Sequence, residues 1–212
     1  MTETWSHLPD PPDRKPRGRP VLRTLKAGTT VFRIHRLGRD PVALNWTVRP
    51  DRISGGRFDS LDGSYGYVYV GDSAATAIAE TLCRDLPLEG AARLVPWTRI
   101  AQRALSRLTV AGDLRVLSLH GPALTQVGAP LALTKCGADA YETTRAWALA
   151  LRRWVPRAQG FAYRPRHDED GLTWVAFEEE ALVAAAEPVP LTKPGVLRLV
   201  RDVLHAHNAT FD

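Results

Sequence analysis

Hydrophobic and polar positions alternate over Thr29–Arg36, with Phe32 and Ile34 on one face and Val31, Arg33 and His35 on the other. This period of two predicts a β-strand. An arginine inside such a strand is costly to bury unless an anion meets it, so Arg33 reads either as an edge-strand surface residue or as part of a binding site. A second alternation, Tyr65, Tyr67 and Tyr69, predicts a half-buried strand, and the Gly71-Asp72-Ser73 that follows predicts a turn and a helix start. The helix carries Ala74, Ala75, Ala77, Ile78 and Leu82, has Glu80 at the flank of its apolar stripe, and is expected to end near Pro87. Ahead of the tyrosines, Gly55 and Gly56 present Arg57, and a polar loop holds Asp59, Ser60, Asp62 and Gly63.

Elsewhere the patterning is coarser. Leu37–Arg52 contains Gly38, Asp40-Pro41 and Pro50-Asp51 and reads as loop, with Trp46 closing a core edge. Strands are expected over Ala91–Trp97 and Leu114–Leu119, whereas Ala101–Arg107 and Pro122–Gly137 fit no single period. Asp139 and Glu142 form a capping-box pattern ahead of a helix whose buried stripe is Trp147, Ala148, Leu151 and Trp154. Gly160–Arg164 and Thr173–Phe177 read as a hairpin, and Val196–Leu204 as a terminal amphipathic helix packed on the body or used in self-association. Without regular βαβ alternation the chain is assigned to the α+β class rather than to a dinucleotide-binding parallel sheet. No GxGxxG, Walker loop or GxSxG occurs.

Charge changes this picture at one end. Residues 1–26 hold six basic and three acidic residues, so +3 of the formal net charge of +5 lies there, among Pro9, Pro11, Pro12, Pro16 and Pro20. The division that follows is a flexible basic tail over 1–25, a domain over 26–190 and a C-terminal helix over 191–212. The tail is either a solvated segment or an arm for nucleic acid or a partner; the body has no basic stripe with interleaved aromatics. Cys83 and Cys136 are too few and too far apart for a disulfide framework or a zinc site, and no metal is expected. No apolar run reaches membrane-spanning length, and a soluble cytoplasmic protein is the expectation.

If Arg33, Arg57, Tyr69 and Glu80 converge, they suit a phosphate-bearing ligand whose reacting centre becomes positive. Arginines pair with pyrophosphate, a tyrosine lies on a flat ring, and a carboxylate stabilises a cationic sugar centre. Pairing of Glu80 with Arg84 at i, i+4 on a helix surface is the plainer alternative.

The chain resembles the RES-domain family, the toxin halves of RES–Xre toxin–antitoxin pairs. The resemblance is carried by Phe32-Arg33, Gly56-Arg57-Phe58, the stretch from Tyr69 through Ala77 to Glu80, Tyr141-Glu142-Thr143-Thr144, and Gly160-Phe161-Ala162-Tyr163-Arg164-Pro165-Arg166, over roughly Lys26 to Pro190. It implies an ADP-ribosyltransferase-like fold with NAD as substrate, degraded by hydrolysis or phosphorolysis or used for ADP-ribose transfer to protein. It also implies that Arg33 and Arg57 hold phosphates, that Tyr69 stacks on the nicotinamide side, and that Glu80 is the catalytic carboxylate. Pro165 stands where the family pattern has a serine, with Arg164 or Arg166 available to meet a phosphate instead; a catalytically silent module acting through its partner is the alternative. The implied partners are an Xre-type antitoxin, a second copy in a homodimer, and operator DNA reached only through the antitoxin.

Overall fold

In the computed structural model, residues 8–49, 54–87 and 93–212 are described. The elements in order are β1 (Leu22–Leu25), β2 (Thr30–Arg36), β3 (Val68–Gly71) and α1 (Ala74–Ile78), which runs on as a π-helical turn at Ala79–Cys83. Next come β4 (Leu94–Val95), α2 (Trp97–Ala101), β5 (Arg103–Val110), β6 (Leu114–Ser118), α3 (Pro122–Gln126) and α4 (Ala132–Lys135). A 3₁₀ turn at Ala138–Ala140 precedes α5 (Tyr141–Trp154), then β7 (Gly160–Tyr163), β8 (Thr173–Ala176), β9 (Leu182–Ala184), β10 (Val189–Pro190), α6 (Pro194–Ala206) and β11 (Thr210–Phe211).

Nine strands make one mixed sheet in the order β1-β6-β7-β8-β3-β2-β5-β10, with β9 also on β5. Only β6 and β7 run parallel within it, because α3, α4 and α5 carry the chain back between them. The architecture is thus α+β, as the element pattern predicts. One core packs α5 through Trp147, Ala148 and Leu151 against Phe161, Tyr163 and Val175 of the central hairpin. A separate cluster joins α6 through Val200, Val203 and Leu204 to Ile78, Leu82 and Cys83. The terminal helix therefore braces the turn that bears Glu80, where its apolar stripe finds a partner within the chain.

Several expectations need correction. Residues 8–25 are not a detached tail: β1 pairs with β6 from Leu22↔Leu117 to Leu25↔Leu114, and the Trp147 indole donates to the Pro9 carbonyl at 2.8 Å. Prolines removed the local signal for order, but backbone pairing and one buried indole supply it from a distance. Residues 1–7 of that segment lie outside the described residues, as do Pro50-Asp51 and the start of the predicted 91–97 strand. Trp46 is 53% exposed rather than at a core edge. Asp139 sits in the 3₁₀ turn; Ala140 is the residue before α5, with no side-chain cap. Pro190 does not mark a boundary, since β10 pairs with β5 and Leu191 is fully buried. Ala101–Arg107, which fits no single period, contributes to β5, the longest strand.

Candidate functional site

Local chemistry positions the loop before β3. The Gly56 N–H donates to Asp59 Oδ2 at 2.8 Å, the Tyr69 hydroxyl donates to Asp59 Oδ1 at 3.0 Å, and the Phe58 N–H donates to the Tyr69 oxygen at 2.7 Å. A Cβ on Gly56 would stand 2.5 Å from Asp59 Oδ1 and 2.6 Å from the Tyr69 oxygen, so only glycine allows this approach. From behind, α5 clamps the same loop: Thr144 donates to the Arg57 carbonyl at 2.6 Å and Arg145 Nε donates to the Gly56 carbonyl at 3.2 Å.

Glu80 is positioned by the helix that follows. Ser73 caps α1 by accepting the Thr76 N–H at 2.9 Å, as the turn pattern predicts, and Asp72 accepts the Leu172 N–H at 2.9 Å, tying the turn to the approach to β8. The change from α to π geometry at Ala79 sets Glu80 within a widened turn, a feature that recurs at functional sites. Its side chain is almost wholly buried, and Oε1 accepts a 2.5 Å hydrogen bond from the Tyr163 hydroxyl. Burial pushes the Glu80 carboxyl above its ordinary value of 4.5, while Arg57, the Tyr163 hydrogen bond, Arg84 and Lys135 oppose that rise. Burial and the neighbouring Glu80 hold the Tyr163 phenol well above 10, so it stays a donor.

Arg33, Tyr69 and Glu80 line one cleft of about 370 Å³, within the range of small-molecule sites. Among the described residues seven arginines border it, namely Arg33, Arg36, Arg39, Arg49, Arg84, Arg99 and Arg103, against two acids, Asp59 and Glu80. A second hollow, lined by Phe32, Ile34 and Val70, meets the first along Tyr69 and Glu80. The half-buried apolar face of β2 thus opens beside the carboxylate. Arg33 donates to the Pro41 and Ala43 carbonyls at 2.6 and 3.1 Å, and burial beside Arg39 pushes it down to about 10, still a cation at neutral pH. Glu80 does not pair with Arg84, which instead binds Asp85 through Nε and Nη2 at 2.9 and 3.2 Å.

Two predicted site residues lie elsewhere. Arg57 is 1% exposed behind the cleft wall, where it donates to the Leu133 carbonyl, Cys136 Sγ and the Cys136 carbonyl at 3.0 to 3.3 Å and sits over the Tyr141 ring. Arg166 is half-buried beside Gly137 rather than on the cleft lining. Its neighbour Pro165 is buried, and the Pro165 and Arg164 carbonyls accept from Lys135 at 2.7 and 3.0 Å. Tyr163, Arg39, Arg99 and Arg103 were not singled out as site residues. Only Tyr163 had a signal, its place in the Gly160–Arg166 motif; Arg103 reaches the cleft through the pairing of β5 with β2, and Arg99 from α2 just ahead of it. Among the described residues, no group of three or more His, Cys, Asp or Glu side chains is placed to hold a metal, and no helix is long and apolar enough to cross a membrane.

The fold is thus a mixed sheet with flanking helices, class α+β, with a buried carboxylate on the wall of an arginine-lined cleft. The chain belongs to the RES domain family, which matches residues 30–201. The fold is similar to the crystal structure of the M. tuberculosis MbcT–MbcA toxin–antitoxin complex, with a TM-score of 0.55 and 20% identity over 84% of this chain and 91% of that one. A search of curated proteins gave no match.

Proposed function

We propose that this protein is the toxin of a toxin–antitoxin pair and cleaves the nicotinamide–ribose bond of NAD. The observation that carries the reading is a buried carboxylate, Glu80, on the wall of a cleft where arginines far outnumber acids. RES-domain membership and the likeness to a toxin–antitoxin complex support it.

In this reading Arg33 and its neighbour Arg39 pair with the pyrophosphate, since charge-assisted bonds to phosphate oxygens are the strongest that guanidinium makes. Tyr69, its hydroxyl committed to Asp59 and Phe58, offers the edge of its ring to the nicotinamide side. Ionised Glu80 faces the ribose carbon as positive charge grows there, and Tyr163 fixes the oxygen that does so. Nicotinamide leaves as a neutral ring, and the acceptor is water, phosphate or a protein side chain. Arg57 acts through Glu80 and the loop rather than on the phosphates, because its guanidinium is spent on carbonyls behind the wall. The antitoxin of Xre type, the homodimer and contact with operator DNA through the antitoxin rest on the family resemblance.

The test is nicotinamide release from NAD by the purified protein beside Glu80→Gln, with and without phosphate. Release that vanishes in the variant establishes the reaction, and its phosphate dependence names the acceptor. Undiminished release by Glu80→Gln would remove Glu80 from the chemistry.

A further inference from the structure

Beyond Glu80, one part of the cleft carries more positive charge than a dinucleotide pyrophosphate needs. Arg36 at the end of β2 and Arg103 at the start of β5 are direct cross-strand partners, a like-charge pairing that destabilises a sheet unless something answers it. Arg84 and Arg99 join them on the cleft wall. Arg103 donates to the Arg99 carbonyl at 2.6 Å, and Arg99 donates to the Thr81 carbonyl at 2.7 Å, which holds the group in place without neutralising it. Among the described residues Asp85 is the one carboxylate paired with these four, and it is already bound by Arg84 and, at 3.4 Å, by Arg99. Arg36 is exposed, and while its carbonyl accepts from the Arg39 N–H at 3.2 Å, its guanidinium makes no hydrogen bond or ion pair among the described residues. Burial lowers the Arg103 pKa, and Arg99, Arg36 and Arg84 lower it further, as expected where cations crowd one another.

The geometry points to a second anion subsite, in which Arg36 and Arg103 receive a phosphomonoester carried by the dinucleotide, so that the preferred ligand is the 2′-phosphorylated form, NADP, rather than NAD. This rests on the reading of the cleft as a dinucleotide site. A pyrophosphate bears one charge per phosphate and is met by Arg33 and Arg39. A phosphomonoester adds up to two more, with three acceptor oxygens for forked guanidinium donors.

Calorimetric titration of NAD, NADP and inorganic phosphate in the Glu80→Gln background, where neither dinucleotide is consumed, tests it. NADP should bind about tenfold or more tightly than NAD at physiological salt, as loss of a charge-assisted contact predicts. Arg36→Ala should erase that preference while leaving NAD affinity unchanged, and Arg36→Lys should keep part of it. Equal binding of NAD and NADP, or a preference that survives Arg36→Ala, overturns the subsite while the NAD reading stands. Phosphate binding that depends on Arg36 without any NADP preference also overturns it, by showing a site for the free anion. If neither dinucleotide binds, the NAD reading itself falls, and this inference with it.

Discussion

Two groups of arginines lie near the Glu80 turn, one off the cleft lining and one on it, and differ in what answers their charge. Off the lining, Arg57 and Arg145 are almost fully buried, donate to the carbonyls of Leu133, Cys136, Ser54 and Gly56, and flank the Tyr141 ring. On the cleft lining, Arg36, Arg84, Arg99 and Arg103 have Asp85 alone among the described residues as a paired carboxylate, and Arg84 also lies over the Tyr141 ring. The first group resembles a set of struts: each cation satisfies loop carbonyls that would otherwise be buried without donors. The second resembles a receptor, since it borders the cleft with few carboxylates to answer it and its cations crowd one another. Residue type is the same in both; the partners within reach decide whether an arginine braces buried carbonyls or lines the cleft.

The largest effect that would break this contrast concerns catalysis. Glu80→Gln should reduce nicotinamide release by at least about a hundredfold, in line with loss of a group that stabilises transition-state charge. It should not destabilise the fold. The folded-state pKa of Glu80 is raised, so its contribution is favourable below the unfolded value and is lost as pH rises through the folded value. At neutral pH the ionised side chain is therefore a burden, and thermal unfolding of Glu80→Gln should occur at an equal or higher temperature than wild type. A clear drop would show Glu80 to be structural.

Next in size, Arg57→Ala should cost about 3–5 kcal/mol in urea unfolding, because it strands buried carbonyls. If it instead leaves stability unchanged and raises KM for NAD, Arg57 belongs with the cleft arginines and the contrast fails. Tyr163→Phe should cost about 1 kcal/mol of stability and move the acid limb of the pH–rate profile upward. The sign follows from the hydrogen bond: it lowers the Glu80 pKa, so its loss lets the carboxyl rise further and turnover is lost at a higher pH. A limb that stays in place would separate Tyr163 from Glu80. The smallest effect is that of Arg36→Ala, which relieves a like-charge cross-strand pair and should stabilise the ligand-free protein by on the order of a few tenths of a kcal/mol. Destabilisation on denaturant titration would mean that Arg36 already has a structural partner.

Much of the scaffold was legible in advance. The period of two at Thr29–Arg36, the Ser73 cap and the Trp147–Leu151 stripe all lie within single elements, where side-chain period and backbone geometry are coupled. The site was legible in part. Arg33, Tyr69 and Glu80 do share a cleft, but Arg57, placed at the phosphates by motif, lies behind it. A Gly-Gly-Arg sequence shows that the chain turns sharply there; it does not show to which side the guanidinium goes.

The sequence by itself determined that Thr30–Arg36, Gly160–Tyr163 and Thr173–Ala176 are strands and that Tyr141–Trp154 and Pro194–Ala206 are helices, where α1 begins, that a carboxylate follows the tyrosine strand, and that the class is α+β, since each depends on neighbours a few positions away. Only the tertiary structure decided that residues 8–25 join the body, that Arg57 is a strut, and that Arg36 and Arg103 face each other at the cleft. These depend on pairings across some 65 to 140 positions, between β2 and β5, β1 and β6, and Pro9 and Trp147, which no local period encodes.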